Sequence, residues 1–296
     1  LGDDPDAPGL ALAAVGGTGR GDLAPESDLD LLLLHDKKID PSAVAELLWY
    51  PIWDEGLKLG HAVRTEKDAL VFAGSDLETA TALLACRHLV GDAELTRAVA
   101  DGALAQWQKR SKWALGGLRR ATQERWEANG ELAFLLEPDL KEARGGLRDI
   151  HALRWAELAA PVLDPADAED LSSCERILFD ARVALHAVTG RTTDRLGLED
   201  QDAVAAMLGT DADGLMGLIS AAGRRVAWVA DEVWDRVTGR LSSDRPLLGW
   251  RSRSRSPGVV VKGGQVLLEP NVDPASQPLL VFDVAAVAIR TGSRPA

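Results

Sequence analysis

Four consecutive leucines, Leu31 to Leu34, are headed by two aspartates one residue apart, Asp28 and Asp30. A run this apolar reads as a strand covered on both faces. Strand side chains repeat their direction every two residues, so Asp28 and Asp30 point the same way. Two like charges at the head of a buried strand are costly unless a cation compensates them. Paired carboxylates on a rigid strand can hold a hard divalent cation such as Mg2+. Upstream, the apolar segment Leu10–Val15 ends in Gly16-Gly17, eleven residues before Asp28. The turn Gly16-Gly17-Thr18-Gly19-Arg20-Gly21 offers backbone N–H groups to phosphate oxygens. Metal ligands beside a phosphate cradle predict a site for a nucleoside triphosphate and its metal ions.

The turn is not a P-loop, because it lacks the Gly-Lys-Ser/Thr ending. Nor is it a dinucleotide fingerprint, since the third glycine is missing at the required offset. Around it the pattern is strand, helix start, strand, helix, strand, an α/β order. The second strand is expected over 28–34. A helix over 42–56 has Val44, Leu47, Leu48 and Ile52 on one side, with Pro51 kinking or restarting it. A third strand is expected over 57–65. Residues 1–9 read as a loose lead-in.

Beyond residue 75 the periodicity is helical. Ser75 with Glu78 forms a capping-box signature for a helix that Gly91 stops. Asp92 opens the next helix, and a longer one runs through Trp113, Leu118 and Trp126. Further helices are expected at 147–159, 171–188, 200–208 and 215–237. Arg251 to Ser256 reads as a solvated linker. Val259–Val261 and Val266–Leu268 flank a Gly-Gly turn and predict a β-hairpin. A last apolar segment covers 279–289. The expected organisation is a nucleotide-binding domain over 1–135, a helical domain over 136–240, and a linker, hairpin and terminal segment over 241–296.

The net charge of −13, from 46 acids against 33 bases, argues against sequence-independent nucleic-acid binding, which needs a basic surface. No apolar run is long enough to span a membrane. Cys86 and Cys174 lack metal-ligand spacing and read as small buried hydrophobes in helices, which fits a reducing cytoplasm. Most of the nine tryptophans fall among apolar neighbours, so core packing is expected of them.

Gly16-Gly17 with Asp28-x-Asp30 resembles the signature of the DNA polymerase β-like nucleotidyltransferase superfamily. Residues 14–35 resemble one branch more closely, the bacterial PII uridylyltransferases, bifunctional enzymes that add and remove uridylyl groups on the PII nitrogen-signalling protein. Trp53 to Thr65, Glu137 to Glu142, Gly145 to Ile150, Ala184-Leu185-His186, Gly190-Arg191 and Asp194-Arg195-Leu196 extend the likeness to about residue 210. The resemblance implies an α+β nucleotidyltransferase domain with a small mixed sheet, followed by a mainly helical domain. It implies transfer of UMP from UTP, or AMP from ATP, to a tyrosine hydroxyl of PII, with pyrophosphate leaving. The family's full-length enzymes continue into an HD hydrolase domain and two ACT domains. Neither is legible here, and His35-Asp36 reads as a strand-end coincidence, so uridylyl removal is not expected of this chain.

The roles expected at the site follow from charge and reach. Asp28 and Asp30 are the metal ligands and catalytic carboxylates. Gly16 and Gly17 admit the phosphates, and Arg20 neutralises phosphate charge or is simply solvated. Ser27 binds a phosphate oxygen or caps a turn. Arg64, an arginine in an apolar strand, needs a partner and is a site candidate, whereas His61 reads as packed and hydrogen-bonded. A third carboxylate has three candidates, Asp54, Glu66 and Asp68, each equally readable as a surface acid. Arg144-Gly145-Gly146-Leu147-Arg148-Asp149 reads as an interdomain turn, with an Arg148–Asp149 ion pair, rather than a second phosphate loop. Two other functions fit the same residues: a transferase acting on another protein or a small hydroxyl compound, and a non-catalytic nucleotide sensor. Two intact aspartates weigh against the sensor.

Overall fold

The computed structural model describes residues 8–242, 258–262, 265–269, 272–277, 279–291 and 293–295. Two compact units divide the chain, Leu1–Asp231 and Glu232–Ala296.

The first unit opens with β1 (Leu10–Ala14), the short helix α1 (Gly16–Arg20) and β2 (Leu29–His35). There follow α2 (Ser42–Asp54), β3 (Leu59–Arg64), α3 (Glu66–Ala73), α4 (Leu77–Leu83) and β4 (Arg87–Gly91). The four strands form one mixed sheet in the order β3-β2-β1-β4. β1 is antiparallel to β2 and to β4, while β2 and β3 run parallel, with Asp30 opposite Gly60. This small mixed sheet beside a large helical part is the expected fold class.

β2 is an interior strand, and Leu31 to Leu34 are all buried. Leu31 and Leu33 face Leu12, Ala14 and Trp49, with Val44, Leu48 and Ile52 of α2 closing that side. Asp30, Leu32 and Leu34 alternate with them along β2, whereas Asp28, expected to open the strand, lies just before it, because β2 begins at Leu29. Burying four leucines contributes on the order of 6–12 kcal/mol, which is large enough to hold a carboxylate in a half-buried place.

Several local expectations change. Leu47 is 76% exposed, so α2 buries a narrower stripe than its leucines suggest. Pro51 lies inside α2 and does not restart it. The cap of α4 is Asp76, whose carboxylate accepts from the Thr79 N–H at 2.7 Å, rather than Ser75. The helix expected to continue to Gly91 stops at Leu83, and residues 87–91 form the edge strand β4. Cys86 therefore lies outside any helix; both cysteines are free, and burial pushes the Cys86 thiol up to about 11. Trp49, Trp107, Trp155 and Trp234 are buried, but Trp53 and Trp228 are exposed.

The helical part of the first unit comprises α5 (Ala93–Lys109), α6 (Ser111–Asn129), α7 (Leu147–Ala159), α8 (Pro165–Thr189) and α9 (Leu198–Met207). α10 (Ala212–Ser242) begins in this unit and ends in the next. Asp92 caps α5 as expected, accepting from the N–H groups of Glu94 and Leu95. The indole N–H of Trp107 donates to the Trp155 carbonyl at 2.9 Å and ties α5 to α7. The turn before α7 is structural, but the expected Arg148–Asp149 pair is replaced. Asp149 is fully buried and accepts from Arg125, from the Trp126 indole N–H at 2.9 Å and from the Gly145 N–H at 2.7 Å. Arg148 faces Glu142 at 3.5 Å instead. Gly145 is left-handed, at φ +88°, and a Cβ there would lie 2.4 Å from the Gly223 carbonyl oxygen of α10. That turn is glycine-rich because backbone meets backbone.

The second unit contains β5 (Val259–Lys262) antiparallel to β6 (Gln265–Leu268), the expected hairpin. α11 (Leu280–Thr291) seats Leu280 and Val287 on Val259 and Val266. A short strand β7 (Arg294–Pro295), absent from the sequence reading, runs parallel to β6. The lead-in to residue 7, Arg251 to Ser256, and the hairpin glycines lie outside the described residues.

Candidate active site

A cavity of about 760 Å³ opens in the first unit. Its floor is the β1–α1 turn and the head of β2, and its far wall is the inner side of α7 and α8. Gly16, Gly17, Arg20, Ser27, Asp28, Asp30 and Arg64 all line it, so residues spread over 49 positions of sequence converge on one space.

Asp30 is the best-determined of them. Its backbone N–H donates to Thr18 Oγ1 at 2.7 Å, and its carbonyl accepts from the Val15 N–H at 3.0 Å. The turn and the strand head are thereby locked together. Two glycines shape a slot for its carboxylate. A Cβ at Gly16 (φ +55°) would lie 2.9 Å from Asp30 Oδ2, and a Cβ at Gly60 would lie 2.6 Å from Oδ1. Burial pushes the Asp30 carboxyl above the ordinary carboxylate value and the neighbouring Asp28 adds to this, while the Gly17 N–H pulls it partly back. The carboxylate is thus held by its surroundings in a place that disfavours its charge, which a cation would correct.

No three His, Cys, Asp or Glu side chains among the described residues converge as a metal cage. The donor set here is two carboxylates. That suits Mg2+, which keeps several waters and binds through one or two carboxylates plus substrate phosphates. Asp28 and Asp30 would hold it.

The other expected residues find other partners. Ser27 Oγ accepts from the Ala24 N–H at 3.0 Å, which is the turn-capping role. Arg20 pairs with Asp22 at 2.6 Å and lies over the Trp155 ring at 5.7 Å. The partner Arg64 needs is the face of Phe72, 4.7 Å away. His61 is exposed and packs its ring against Trp49 and Trp53. Asp54, Glu66 and Asp68 do not line the cavity; Thr65 caps α3, its hydroxyl accepting from the Asp68 N–H and donating to the Asp68 carboxylate. Glu78 does line it, and its charge reaches Asp30. Nothing in the sequence distinguished Glu78, because it reads as the second half of a capping box.

The far wall was not legible from sequence. Lys141 comes from the turn before α7, Arg148 from the first turn of α7, Arg182 from α8 and Lys58 from the entry to β3; with Arg20 and Arg64 they place six cations in the lining, which also carries Asp22, Glu26, Asp76, Glu78, Glu175 and Asp194 besides Asp28 and Asp30. The cations offer partners to a phosphate, and Asp22 and Asp194 hold Arg20 and Arg182 in place as ion pairs. On α7, His151 is buried, with Nε2 3.6 Å from Asp22 and 3.8 Å from Glu175. Burial, reinforced by Arg20, holds its pKa well below the usual histidine value, so the ring is neutral near pH 7. On α8, Arg182 donates to Asp194 at 2.5 Å and His186 is fully buried beside it.

A family model described as GlnD PII-uridylyltransferase matches residues 116–234. A bifunctional uridylyltransferase/uridylyl-removing enzyme of Streptomyces coelicolor is 46% identical over 302 residues, covering 96% of this chain and 36% of that protein. The protein of the same name from Mycobacterium tuberculosis is 39% identical, over 97% of this chain and 37% of its own length. That of Corynebacterium glutamicum is 32% identical, over 96% and 41%. The chain therefore spans a little over a third of the length of the curated relatives it matches. No helix among the described residues is long and apolar enough to cross a membrane.

Proposed function

The chain belongs to the PII-uridylyltransferase family, and from that membership we propose that it carries the nucleotide-adding reaction, the transfer of UMP from UTP to a tyrosine hydroxyl of PII. The observation that carries the proposal is Asp30, seated between Gly16 and Gly60, on the floor of a cavity that Asp28 and six cations also line. In this reading the triphosphate lies along the floor, within reach of Arg20, Lys58, Lys141 and Arg148. The tyrosine oxygen attacks the α-phosphorus, and its hydroxyl proton passes to solvent. A new P–O bond forms, the bond to the bridging oxygen breaks, and pyrophosphate carries away that electron pair. Mg2+, when bound, supplies charge neutralisation that the two carboxylates alone cannot. The chain's own contribution is positioning and electrostatics. AMP from ATP is the alternative, since the two nucleotides share the triphosphate that these cations recognise. The proposed setting is the cytoplasm, with no nucleic-acid or membrane partner. The proposed boundaries are 1–135 for the transferase, 136–240 for the helical domain and 241–296 for the remainder.

The test is to incubate the chain with Mg2+, PII and α-labelled UTP or ATP. A labelled PII band that disappears in Asp28→Ala and in Asp30→Ala supports the reading. No label from either nucleotide would falsify it. Label on another protein or a small hydroxyl compound would favour the broader transferase.

A further inference from the structure

Asp28 stands in a short segment between Pro25 and β2, outside any regular element, so something other than a strand ladder has to hold it. The helical side of the unit reaches this segment at two points. Two residues before Asp28, the Glu26 N–H donates to Nδ1 of His186 on α8, at 3.4 Å. One residue after it, the Leu29 N–H donates to the carbonyl of Lys58 at 2.9 Å, and Lys58 Nζ in turn donates to Thr192 Oγ1 at 3.1 Å.

The first tether determines the histidine's tautomer. Because Nδ1 accepts from a backbone N–H, it carries no proton, so the proton sits on Nε2. Nε2 faces Asp194 Oδ1 at 3.3 Å, which accepts it. Asp194 is itself held by Arg182 at 2.5 Å, and Lys141 lies 3.6 Å from its other oxygen. The chain of contacts is Arg182, Asp194, His186, Glu26 N–H, and then Asp28 two residues on. It repeats the logic of a metal-bound histidine oriented by an outer carboxylate, except that the object positioned is a loop. His186 is fully buried, and the Ala184-Leu185-His186 segment that extends the family likeness gives no sign of this tether.

We propose that His186, oriented by Asp194, is a positioning residue that fixes the Asp28 segment from the helical side, so that the site is complete only when α8 is docked. The inference rests on the reading of Asp28 as a metal ligand. It is distinct from the identity of the nucleotide acceptor.

The test compares His186→Asn with His186→Gln in the 296-residue chain. The Asn carbonyl oxygen falls where Nδ1 was, so it keeps the Glu26 tether and loses Asp194. The Gln side chain reaches the Nε2 position instead, so it keeps Asp194 and loses the tether. Two quantities are measured: kcat and KM for PII labelling, and Mn2+ affinity by electron paramagnetic resonance, with Mn2+ alone as probe. Positioning predicts that His186→Asn retains kcat within about threefold, whereas His186→Gln loses roughly ten- to hundredfold with KM for PII unchanged. Mn2+ affinity should follow the same order. Equal effects in both variants, or a better-preserved His186→Gln, would mean that His186 merely fills space, and would overturn the inference. If the wild-type chain labels no PII, the functional proposal fails and the Mn2+ order alone decides. If the wild-type chain shows no Mn2+ site that Asp28→Ala removes, the inference fails as well.

Discussion

The glycine slot around Asp30 makes Gly60→Ala the sharpest separation of activity from stability available in this chain. Gly60 sits in β3 directly opposite Asp30. An added Cβ would come 2.6 Å from Oδ1 and 3.8 Å from Cγ of Asp30. Strand backbone geometry does not forbid alanine there, so the whole effect comes through that contact. Alanine gains about 0.5–1 kcal/mol over glycine in chain entropy. Rotating the Asp30 side chain out of its well costs about 0.5–1.5 kcal/mol. The two nearly cancel, leaving net stability within about 1 kcal/mol and Tm within about 4 °C. Catalysis has no such offset. A metal-ligating oxygen displaced by about an ångström is expected to reduce kcat roughly hundredfold. Differential scanning fluorimetry and the labelling assay on the same preparation give both numbers. Activity within threefold of wild type would refute the slot. So would a loss of activity that only tracks a Tm fall of about 10 °C or more, because the cause would then be general unfolding.

Three further outcomes follow from the same geometry. Asp30→Asn should abolish transfer yet raise the stability of the metal-free protein. The Asp30 pKa is raised above its unfolded value, so its penalty is absent below about pH 4 and grows as pH rises through the folded value; the Tm difference between variant and wild type should open over that window and shrink when Mg2+ is added. Glu78→Gln removes a negative charge that reaches Asp30 and should weaken Mn2+ binding about two- to fivefold, the scale of a partly exposed charge pair, with unchanged affinity counting against any part for Glu78 in the site. Asp149→Ala strands Arg125, the Trp126 indole and the Gly145 N–H, and should cost about 3–5 kcal/mol in urea unfolding, with a cost below 1 kcal/mol showing that the network is solvated.

What could be read from sequence was whatever depends on local periodicity or on a short motif. Leu31 to Leu34 read as a two-sided strand because the run is short and follows a glycine-rich turn, while α5 announced itself by its Asp92 cap and α6 and α7 by apolar spacing. β4 was missed because Arg87 to Gly91 is a short edge strand. Its register with β1 is broken between Leu12 and Ala13, and its residues continue the leucine pattern of the preceding helix. Leu47 was misplaced for a related reason, since helical spacing says which residues share a side but not how wide a stripe the neighbouring sheet covers.

The site divides along the same line. Its floor is one contiguous motif, so Asp28, Asp30 and the glycine turn were legible together, although the motif could not say that Gly16 serves Asp30 more directly than it serves a phosphate. Its far wall is built from single residues on α7, α8 and their entry turns, where Arg148 alone reads as an ion-pair partner; Glu78, on α4, reads as half of a cap. Only docking α7 and α8 beside the sheet turns them into one surface. That dependence has a mechanistic consequence. The carboxylate with the most rigid support, Asp30, belongs wholly to the sheet and its turn. The segment bearing its partner Asp28 is tethered from the helical side through Glu26 and Lys58. A shift of α8 of an ångström or so would leave Asp30 in place and move Asp28, so the helical part can act on the proposed metal site by position as well as by the cations it lends to the cavity.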